Sequence, residues 1–497
     1  MRCFAGIDIG TSSTKMLLMR EDGTVIASAQ QGYGILRPKA GYAEQDVEEL
    51  WNAVLSVMKT LSAQYPDEVR QTACIGLSGQ MHALVMLDRS GKPLRNAMIW
   101  ADQRSGSAVE SILQTVTPAE YAATALNKLS PGFSLSSLIW VRDNEPEIFE
   151  RTDKVVMIKD YIRYRMCGEL GCEASDASSS GMFDVAKRTW AWNIIDRLGL
   201  PRAMFPPCSE AIDVAGALSP DIAEETGFPQ GIPIAFGGGD TLMHEVGTAM
   251  IGDDRPWVAN IGTSTTFTCA MKQAKHDPDY RTNTFCHCRS DLWILMGATL
   301  CGGAGISWLR NNIFRGTTLA ELNELASSIA PGSDGLIFLP YLNGARAPDN
   351  DPNAKGMFFG MTIDHTREHM MRAVLEGIIF SMKNSFELLK RVTSRTSEWV
   401  ICSGGGARSR LLLQMQADMF GCPVRTTVSA EQACIGAAIT AAVSSGHYAS
   451  LEEGCRATVH FSDEIIHPIR ENVERYGDLF EIYRRLYSSN RQLMDMY

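Results

Sequence analysis

The chain has 497 residues, 45% hydrophobic and 21% charged, which is typical of a globular protein of two to four domains. Its formal charge of −11 disfavours nucleic acid as the main partner, since nucleic-acid-binding surfaces need an excess of lysine and arginine. Neither a signal peptide nor an apolar run long enough to span a membrane is found, and the 13 cysteines lack the spacing of a disulfide framework, so we expect a cytoplasmic protein without a membrane partner.

The chain opens with a strand–turn–strand pattern. Apolar residues 4–9 lead into Gly10-Thr11-Ser12, and a second apolar strand follows. Asp8 falls in the first strand, on the face opposite its two isoleucine neighbours. It either accepts hydrogen bonds from N–H groups of the turn or holds the metal ion of a polyphosphate that the turn binds. Lys15, beyond the turn, is placed to neutralise phosphate charge.

The next segments alternate between helical and strand patterns. Residues 47–61 carry apolar side chains at helical spacing behind Asp46 as N-cap, whereas residues 74–77 and 82–87 are predicted to be strands. Between these strands, Gln80-Met81-His82 follows a Ser-Gly turn. Gln and His side by side offer donors for a polyhydroxy ligand, although a lone histidine in such a place is more often structural.

A second polar group follows a short apolar segment. Trp100, Asp102 and Arg104 could supply an aromatic face and two polar contacts to a ligand. The alternative is a salt bridge at the end of a strand.

Asp240 is the strongest single candidate for chemistry. It follows a predicted strand at residues 232–236 and three glycines, Gly237-Gly238-Gly239. Ligands of α/β proteins gather at the ends of strands, and the glycines leave room for a substrate to approach the carboxylate. The alternative role is that of a helix N-cap.

The opening pattern recurs 252 residues later. Residues 257–261 lead into Gly262-Thr263-Ser264, and six of eleven aligned positions are identical. This repeat predicts two similar halves whose turns hold a polyphosphate between them. Cys286-His287-Cys288, which lacks the spacing of a zinc site, is expected to be buried strand.

The second half repeats the strand–glycine–helix order. A predicted strand at 399–402 precedes Gly404-Gly405-Gly406, and a predicted helix covers 409–419. The glycines could bind an anion or a flat ring at the helix N-terminus, or form only a tight turn. The alternation along the chain favours α/β layers, and neither a P-loop nor a Rossmann glycine pattern occurs.

Taken together, the motifs resemble the FGGY carbohydrate kinase family over residues 4–440. In chain order they are Gly6-Ile7-Asp8-Ile9-Gly10-Thr11-Ser12, Ser78-Gly79-Gln80-Met81-His82, Trp100-Ala101-Asp102-Gln103-Arg104, Gly237-Gly238-Gly239-Asp240, Pro340-Tyr341-Leu342-Asn343-Gly344 and Gly404-Gly405-Gly406-Ala407-Arg408-Ser409. Further segments, Pro131-Gly132-Phe133, Lys159-Asp160-Tyr161 and Asp184-Val185-Ala186-Lys187-Arg188, are most similar to the members that phosphorylate D-xylulose.

The resemblance implies a duplicated actin/hexokinase-like (ribonuclease H-like) α/β fold with a cleft between two domains. Residues 1–247 would be the sugar-binding domain and residues 248–497 the nucleotide-binding domain. ATP and Mg²⁺ are the implied cosubstrate and metal, a sugar is the other partner, and a homodimer is common in the family. The implied roles are a catalytic base for Asp240, Mg²⁺–phosphate binding for Asp8, sugar contacts for Met81, His82, Asp102 and Asp240, and nucleotide or phosphate contacts for Gly10, Thr11, Ser12, Lys15, Gly262, Thr263, Gly404, Gly405 and Ala407.

Three positions depart from the pattern of the D-xylulose-phosphorylating members. Thr241 and Ala101 each stand where asparagine is usual, and Ala345 stands where glutamate is usual. The kinase prediction survives these departures, with D-xylulose as first substrate and another ketose, a polyol or a sugar acid as the alternative. Glycerol fits less well, because Gln-Met-His replaces an Arg-Glu pair. A chaperone-like or regulatory ATPase is a further alternative, whereas a transcription regulator would need a basic helix-turn-helix, which is absent.

Overall fold

A computed structural model describes residues 2–496 of the chain. The strands of the first half are β1 (Cys3–Ile9), β2 (Ser13–Arg20), β3 (Val25–Gly32), β4 (Glu44–Gln45), β5 (Thr72–Gly79), β6 (Val85–Leu87), β7 (Ala97–Met98), β8 (Lys154–Val156), β9 (Cys172–Glu173), β10 (Phe183–Asp184), β11 (Thr189–Trp190), β12 (Cys208–Ser209), β13 (Val214–Ala217), β14 (Pro233–Ala235) and β15 (Gly238–Gly239). Its helices are α1 (Val47–Gln64), α2 (Pro66–Arg70), α3 (Gly106–Thr115), α4 (Pro118–Ala125), α5 (Ser134–Asn144), α6 (Pro146–Arg151), α7 (Ile158–Cys167), α8 (Ala174–Ala177), α9 (Trp192–Arg197), α10 (Pro220–Thr226) and α11 (Asp240–Gly247).

The second half begins with another strand pair. Its strands are β16 (Trp257–Ile261), β17 (Thr265–Met271), β18 (Asn283–Cys286), β19 (Trp293–Thr299), β20 (Ile337–Leu339), β21 (Met357–Phe359), β22 (Val400–Gly404) and β23 (Val424–Thr426). Its helices are α12 (Gly303–Asn312), α13 (Leu319–Ser327), α14 (Arg367–Thr393), α15 (Arg410–Phe420), α16 (Gln432–Ser444), α17 (Leu451–Thr458) and α18 (Arg470–Met494). None of these described helices combines the length and the hydrophobicity that crossing a membrane requires.

Both halves contain a large sheet of the same design. The first sheet has the order β13-β14-β5-β1-β2-β3, and the second has the order β18-β19-β17-β16-β22-β23. In each, three neighbouring strands pair antiparallel, β1-β2-β3 or β16-β17-β19, and the first of them also pairs in parallel with a later strand, β5 or β22. The predicted duplicated α/β fold is confirmed.

Helix α16, which belongs to the second half by sequence, packs on the sheet of the first half. A Cβ atom on Gly6 of β1 or on Gly76 of β5 would stand 1.9 Å from a carbonyl oxygen of α16. The same distance separates a Cβ on Gly247 of α11 from α16, and a Cβ on Gly436 of α16 from α11. Only glycine at these four positions allows so close an approach, and we call this contact the α16 seam.

The predicted elements differ from the structure mainly at their ends. Helix α1 begins after Asp46, whose side chain accepts a hydrogen bond from the N–H of Glu48, so this N-cap is confirmed. The strand predicted at 82–87 is shorter, because His82 has a φ of 69°, a left-handed conformation that a strand cannot include. The domain boundary at residue 247 coincides with the end of α11 and stays a prediction, and the terminal residues 1 and 497 lie outside the described part.

Candidate active site

The first Gly-Thr-Ser turn is held from behind by side chains of neighbouring segments. The carbonyl of Gly10 accepts hydrogen bonds from the Tyr33 hydroxyl at 2.6 Å and from Gln80 Nε2 at 3.2 Å. The carbonyl of Thr11 accepts one from Gln45 Nε2 at 2.7 Å. These bonds fix the backbone of the turn, which is what preorganised binding of an anion by N–H groups needs.

The second Gly-Thr-Ser turn does not copy the first one. In the first turn the N–H of Gly10 donates to the carbonyl of Ser13, whereas in the second the N–H of Gly262 donates to the carbonyl of Ser264, one position earlier. The carbonyl of Thr263 also accepts from N–H groups at the start of α12. The sequence repeat therefore predicted both hairpins correctly, and the second turn is one residue tighter.

Asp8 lies in the middle of the first sheet and does not bind the N–H groups of the turn. Its Oδ1 accepts a hydrogen bond from the Ser78 hydroxyl at 2.6 Å, across the β1–β5 pair. Lys15 is its cross-strand neighbour on β2. Desolvation raises the pKa of Asp8, and the Ser78 hydrogen bond and the Lys15 charge oppose this effect. The structure thus rules out the local turn-capping alternative for this carboxylate.

Lys15 is paired with an acid from the α16 side. Its Nζ lies 2.8 Å from Oε2 of Glu431, which immediately precedes α16, and both side chains are about a third exposed. A cavity of about 130 Å³ adjoins this pair. The predicted role of Lys15 in phosphate binding stays a prediction, and in this structure its charge is balanced by Glu431.

Asp240 is the first residue of α11, and Gly239 is the N-cap, so the N-cap alternative is wrong. The preceding Gly237 has a φ of 75°, and a Cβ there would stand 2.0 Å from the carbonyl oxygen of Leu77. Strand β15 pairs with the end of β5, which brings Asp240 next to the Gln80-Met81-His82 segment. Glycine at 237 is therefore needed to set the carboxylate at this strand end.

The carboxyl of Asp240 titrates far above its usual range. Its pKa is raised to about 7, first because protein surrounds it and second because the negative charge of Asp8 acts on it. Its Oδ1 accepts a hydrogen bond from the N–H of Thr241 at 2.7 Å. A carboxylate with a pKa near neutrality is suited to act as a general base, and the Asp8 effect shows that the two acids are close enough to interact.

His82 presents one ring nitrogen as an acceptor. Its Nδ1 lies 2.7 Å from the carbonyl oxygen of Ser179, so this nitrogen carries the proton and Nε2 keeps a lone pair. Burial lowers the pKa of His82 to about 4, and its ring stacks on Phe133 with centroids 4.5 Å apart. Met81, directly before it, packs against Gly239. A fixed, neutral imidazole is a suitable partner for a sugar hydroxyl.

Two other polar side chains predicted near the sugar are already engaged. Gln80 Nε2 donates hydrogen bonds to the carbonyl of Gly10 and to Oε1 of Gln45, so this nitrogen supports the turn, whereas Oε1 of Gln80 is buried without a hydrogen-bond partner. Asp102 is fully buried and accepts hydrogen bonds from the N–H of Ala43 and from the guanidinium of Arg104. These contacts match the salt-bridge alternative, and the substrate role of Asp102 stays a prediction.

The glycine segment of the second half lies beside the second turn. Gly404 ends β22 opposite Ile261, has a φ of 74°, and would place a Cβ 2.6 Å from the Ile261 carbonyl oxygen. Residues 405–408, which include Gly405 and Ala407, form a short 3-10 turn before α15. The structure thus places Gly404 and Gly405 beside Ile261, directly before Gly262-Thr263, and the nucleotide role of these residues stays a prediction.

A cluster of buried charged residues lies behind the turn that carries Asp240, and the sequence did not predict it. Lys159 Nζ lies 2.7 Å from Asp160, 3.5 Å from Glu173 and 3.4 Å from the Phe236 carbonyl oxygen, which precedes the glycines. Next to the cluster, the hydroxyl of Ser175 accepts a hydrogen bond from the N–H of Gly239. The Lys159-Asp160-Tyr161 segment was noted only for its resemblance, because its partners lie far away in sequence.

The Cys286-His287-Cys288 segment is buried, as predicted, with Cys286 at the end of β18. The ring of His287 accepts a hydrogen bond from the N–H of Arg289 at Nδ1, and its Nε2 lies 3.0 Å from the carbonyl oxygen of Met250. Residues 2–496 contain no group of three or more His, Cys, Asp or Glu side chains arranged to hold a metal.

Comparison with known proteins identifies two domains of one family. The profile of the FGGY family of carbohydrate kinases, N-terminal domain, matches residues 3–247, and the profile of its C-terminal domain matches residues 257–445. Xylulose kinase of Bacillus subtilis (strain 168) is 32% identical over 99% of this chain and 98% of that protein. Gluconokinase of the same organism is 30% identical over 97% of this chain and 94% of that protein.

A solved structure shows the same similarity at the level of the fold. Ligand-bound xylulose kinase from Lactobacillus acidophilus superimposes with a TM-score of 0.93 at 27% identity, covering 99% of both chains.

Proposed function

The chain belongs to the FGGY family of carbohydrate kinases, and from this premise we propose that it transfers the γ-phosphoryl group of ATP to the terminal hydroxyl of a ketopentose. D-Xylulose is the first candidate, with D-xylulose 5-phosphate as product, in line with the 32% identical relative. The observation that carries the proposal is the position of Asp240, at a glycine-lined strand end beside Asp8 and His82, with its pKa raised to about 7.

Asp240 acts as the general base in this proposal. The bond between the γ-phosphorus and its bridging oxygen in ATP breaks, a bond forms from that phosphorus to the sugar oxygen, and the hydroxyl proton passes to the Asp240 carboxylate. Such proton transfer contributes typically ~10²–10⁴-fold to the rate. His82 Nε2 and the side chain of Met81 orient the sugar, and Asp102 supports this side through its ion pair with Arg104.

The nucleotide lies between the two glycine turns in this proposal. N–H groups of Gly10, Thr11 and Ser12 face the phosphates from one half, and Gly262 and Thr263 face them from the other. Gly404, Gly405 and Ala407 line the nucleoside, and Lys15 adds positive charge once its pairing with Glu431 is loosened. This arrangement needs no basic surface, which agrees with the acidic composition.

Asp8 is the residue that fits Mg²⁺. Its Oδ1 is bound to Ser78, and its remaining oxygen is available to a cation that arrives with ATP. Mg²⁺ in phosphoryl-transfer sites takes one or two carboxylates and completes its shell with phosphates and water, so a cluster of protein ligands is not required. When bound, the ion neutralises charge on the phosphates.

A sugar acid is the second candidate substrate, and Arg346 is the observation that favours it. Among the described residues, no carboxylate lies within ion-pair distance of its guanidinium, and its positive charge acts on His82. Ala345 precedes it where glutamate is usual in D-xylulose kinases. One 30% identical relative is a gluconokinase, whose name indicates a sugar-acid substrate.

The test is a coupled assay of ADP release with ATP and Mg²⁺ over a panel of ketoses, polyols and aldonates. We expect ADP release with D-xylulose at a kcat/KM at least tenfold above the other ketoses and polyols. Asp240→Asn should abolish it while leaving nucleotide affinity nearly intact. ADP release with none of the compounds contradicts the kinase proposal, and preference for an aldonate selects the second candidate.

Three further properties complete the proposal. Residues 1–247 and 248–497 form the sugar and nucleotide domains, the enzyme forms a homodimer, and it works in the cytoplasm. The cysteines among residues 2–496 are all free thiols, which suits a reducing compartment. Light scattering on the purified chain tests the dimer, and a monomeric mass contradicts it.

A further inference from the structure

Helix α11 turns one face toward the reacting groups, and this face carries a histidine that the proposed mechanism does not use. Asp240, Thr241 and His244 are partly exposed, whereas residues 242, 243 and 245–247 are buried. Because residues four apart lie on the same side of a helix, His244 stands one turn beyond Asp240 on that face.

The Nε2 atom of His244 is buried and has no hydrogen-bond partner in the structure. The side chain is 14% exposed, and its Nδ1 lies 3.8 Å from Oε1 of Glu245. Leaving a buried polar atom unpaired costs roughly 1–3 kcal/mol, and in native proteins such atoms usually pair with a water, an ion or a ligand.

The other ring nitrogen faces an anchored carboxylate. Glu245 is 1% exposed, and its Oε1 accepts a hydrogen bond from the Thr268 hydroxyl at 2.6 Å. Thr268 belongs to β17 of the second half, so Glu245 is fixed from outside its own helix. With Nδ1 beside this carboxylate, Nε2 is the nitrogen left for a ligand.

His244 is close enough to both acids to affect their pKa values. Its charge acts on both Asp8 and Asp240 and opposes the rise of their pKa values. A ring that influences both carboxylates lies near both ends of the path from the metal-binding acid to the base. In the proposed reaction, the γ-phosphoryl group crosses that path.

We propose that His244 is a catalytic residue that acts as an imidazolium: its Nδ1–H faces Glu245, and its Nε2–H donates a hydrogen bond to a non-bridging oxygen of the phosphoryl group during transfer. This inference rests on the proposed kinase function. The imidazole exchanges no proton: Asp240 takes the proton of the sugar hydroxyl, and His244 stabilises the charge that is spread over the equatorial oxygens of the phosphoryl group. The hydrogen bond also satisfies the unpaired nitrogen.

The experiment compares His244→Ala and His244→Gln with the wild type in the ADP-release assay. Glutamine places an amide N–H near the position of Nε2, whereas alanine removes the donor. We expect a fall in kcat of about 30- to 100-fold for His244→Ala, with KM for sugar and for ATP changed less than threefold. His244→Gln should recover kcat to within about fivefold of wild type. The exposed His467→Gln is the matched control and should be unchanged.

A binding measurement separates action on the transferring group from a structural role. ADP with aluminium fluoride and the sugar substrate mimics the transfer state, whereas ADP alone does not. His244→Ala should lose affinity for the fluoride complex by a factor similar to its loss of kcat and should keep its affinity for ADP. His244→Ala should lose some thermal stability because it removes a largely buried ring, whereas His244→Gln, which fills most of that space, should stay close to wild type.

Each other outcome overturns the inference. A rise in KM for the sugar at unchanged kcat assigns His244 to the sugar, and equal losses of affinity for ADP and for the fluoride complex assign it a structural role. Wild-type activity in His244→Ala refutes the inference while leaving the kinase proposal intact. If the wild-type chain releases no ADP with any sugar, the proposed function fails first.

Discussion

Replacing Asp240 by asparagine should stabilise the folded protein, and more so at alkaline pH. The amide has the shape of the carboxyl and keeps an Oδ1 acceptor for the N–H of Thr241. In the native protein the pKa of Asp240 is about 7, against an ordinary value of 3.8. Because the folded protein favours the neutral acid, ionisation of this group costs stability, and the cost grows as the pH rises from the ordinary pKa to the native one.

The shift sets the magnitude of the effect. At 1.36 kcal/mol per pKa unit, the raised pKa costs about 4 kcal/mol at pH 8, and about 2 kcal/mol at pH 5, where the folded protein holds the neutral acid and the unfolded chain the ionised one. Asparagine carries no such cost. Asp240→Asn should therefore raise the free energy of unfolding at both pH values, and the gain should be larger by about 2 kcal/mol at pH 8.

Urea unfolding of both proteins at pH 5 and pH 8 measures this difference. The slopes should match, so that the change appears in the midpoint. Asp463→Asn, at an exposed position, controls for the general effect of removing one negative charge. A gain that is equal at the two pH values, or a loss of stability at pH 8, refutes the argument that surrounding protein and Asp8 destabilise the ionised form.

Three other predictions concern the site and the seam. With Asp240 as base, kcat/KM for the sugar should rise about tenfold between pH 6 and its plateau above pH 7, and a flat profile from pH 5 upward contradicts this role. Asp8→Asn should lower turnover and weaken its dependence on Mg²⁺. It should also move the rise in kcat/KM to lower pH, because it removes a charge that raises the pKa of Asp240. A rise in kcat/KM at the same pH as in the wild type contradicts the electrostatic coupling of the two acids. Gly6→Ala should lower the free energy of unfolding by about 3 kcal/mol or more, because its Cβ would stand 1.9 Å from a carbonyl oxygen. The control Gly34→Ala, whose Cβ would have no atom within 4 Å, should change the free energy of unfolding by about 0.5 kcal/mol or less. Equal urea midpoints for the two variants contradict the close approach at Gly6.

Local patterns in the sequence were sufficient for the hairpins and for the order of strands and helices. The two hairpins around Gly10-Thr11-Ser12 and Gly262-Thr263-Ser264, and the N-cap Asp46, each depend only on residues that are neighbours in the sequence. Family resemblance added the candidate base Asp240, since a carboxylate after three glycines is by itself ambiguous between catalysis and capping.

The contacts that decide the chemistry come from distant segments, which a single sequence does not pair. Ser78, 70 residues from Asp8, takes up one of its oxygens, and Glu431 balances Lys15 across the molecule. Asp102 has the sequence pattern of a ligand residue, but its Oδ2 accepts a hydrogen bond from the N–H of Ala43, 59 residues away. The sequence also does not show the one-residue difference between the two turns. Both turns read Gly-Thr-Ser, but only the second one accepts hydrogen bonds from N–H groups at the start of α12.

The α16 seam determines which motions the two halves can make. At four glycines the backbone atoms of α16 touch those of β1, β5 and α11 without side chains between them, so sliding would drive carbonyl oxygens into main-chain atoms. A chain cut after residue 247 would leave the first sheet without its covering helix, so the halves of this duplicated protein form one inseparable folding unit.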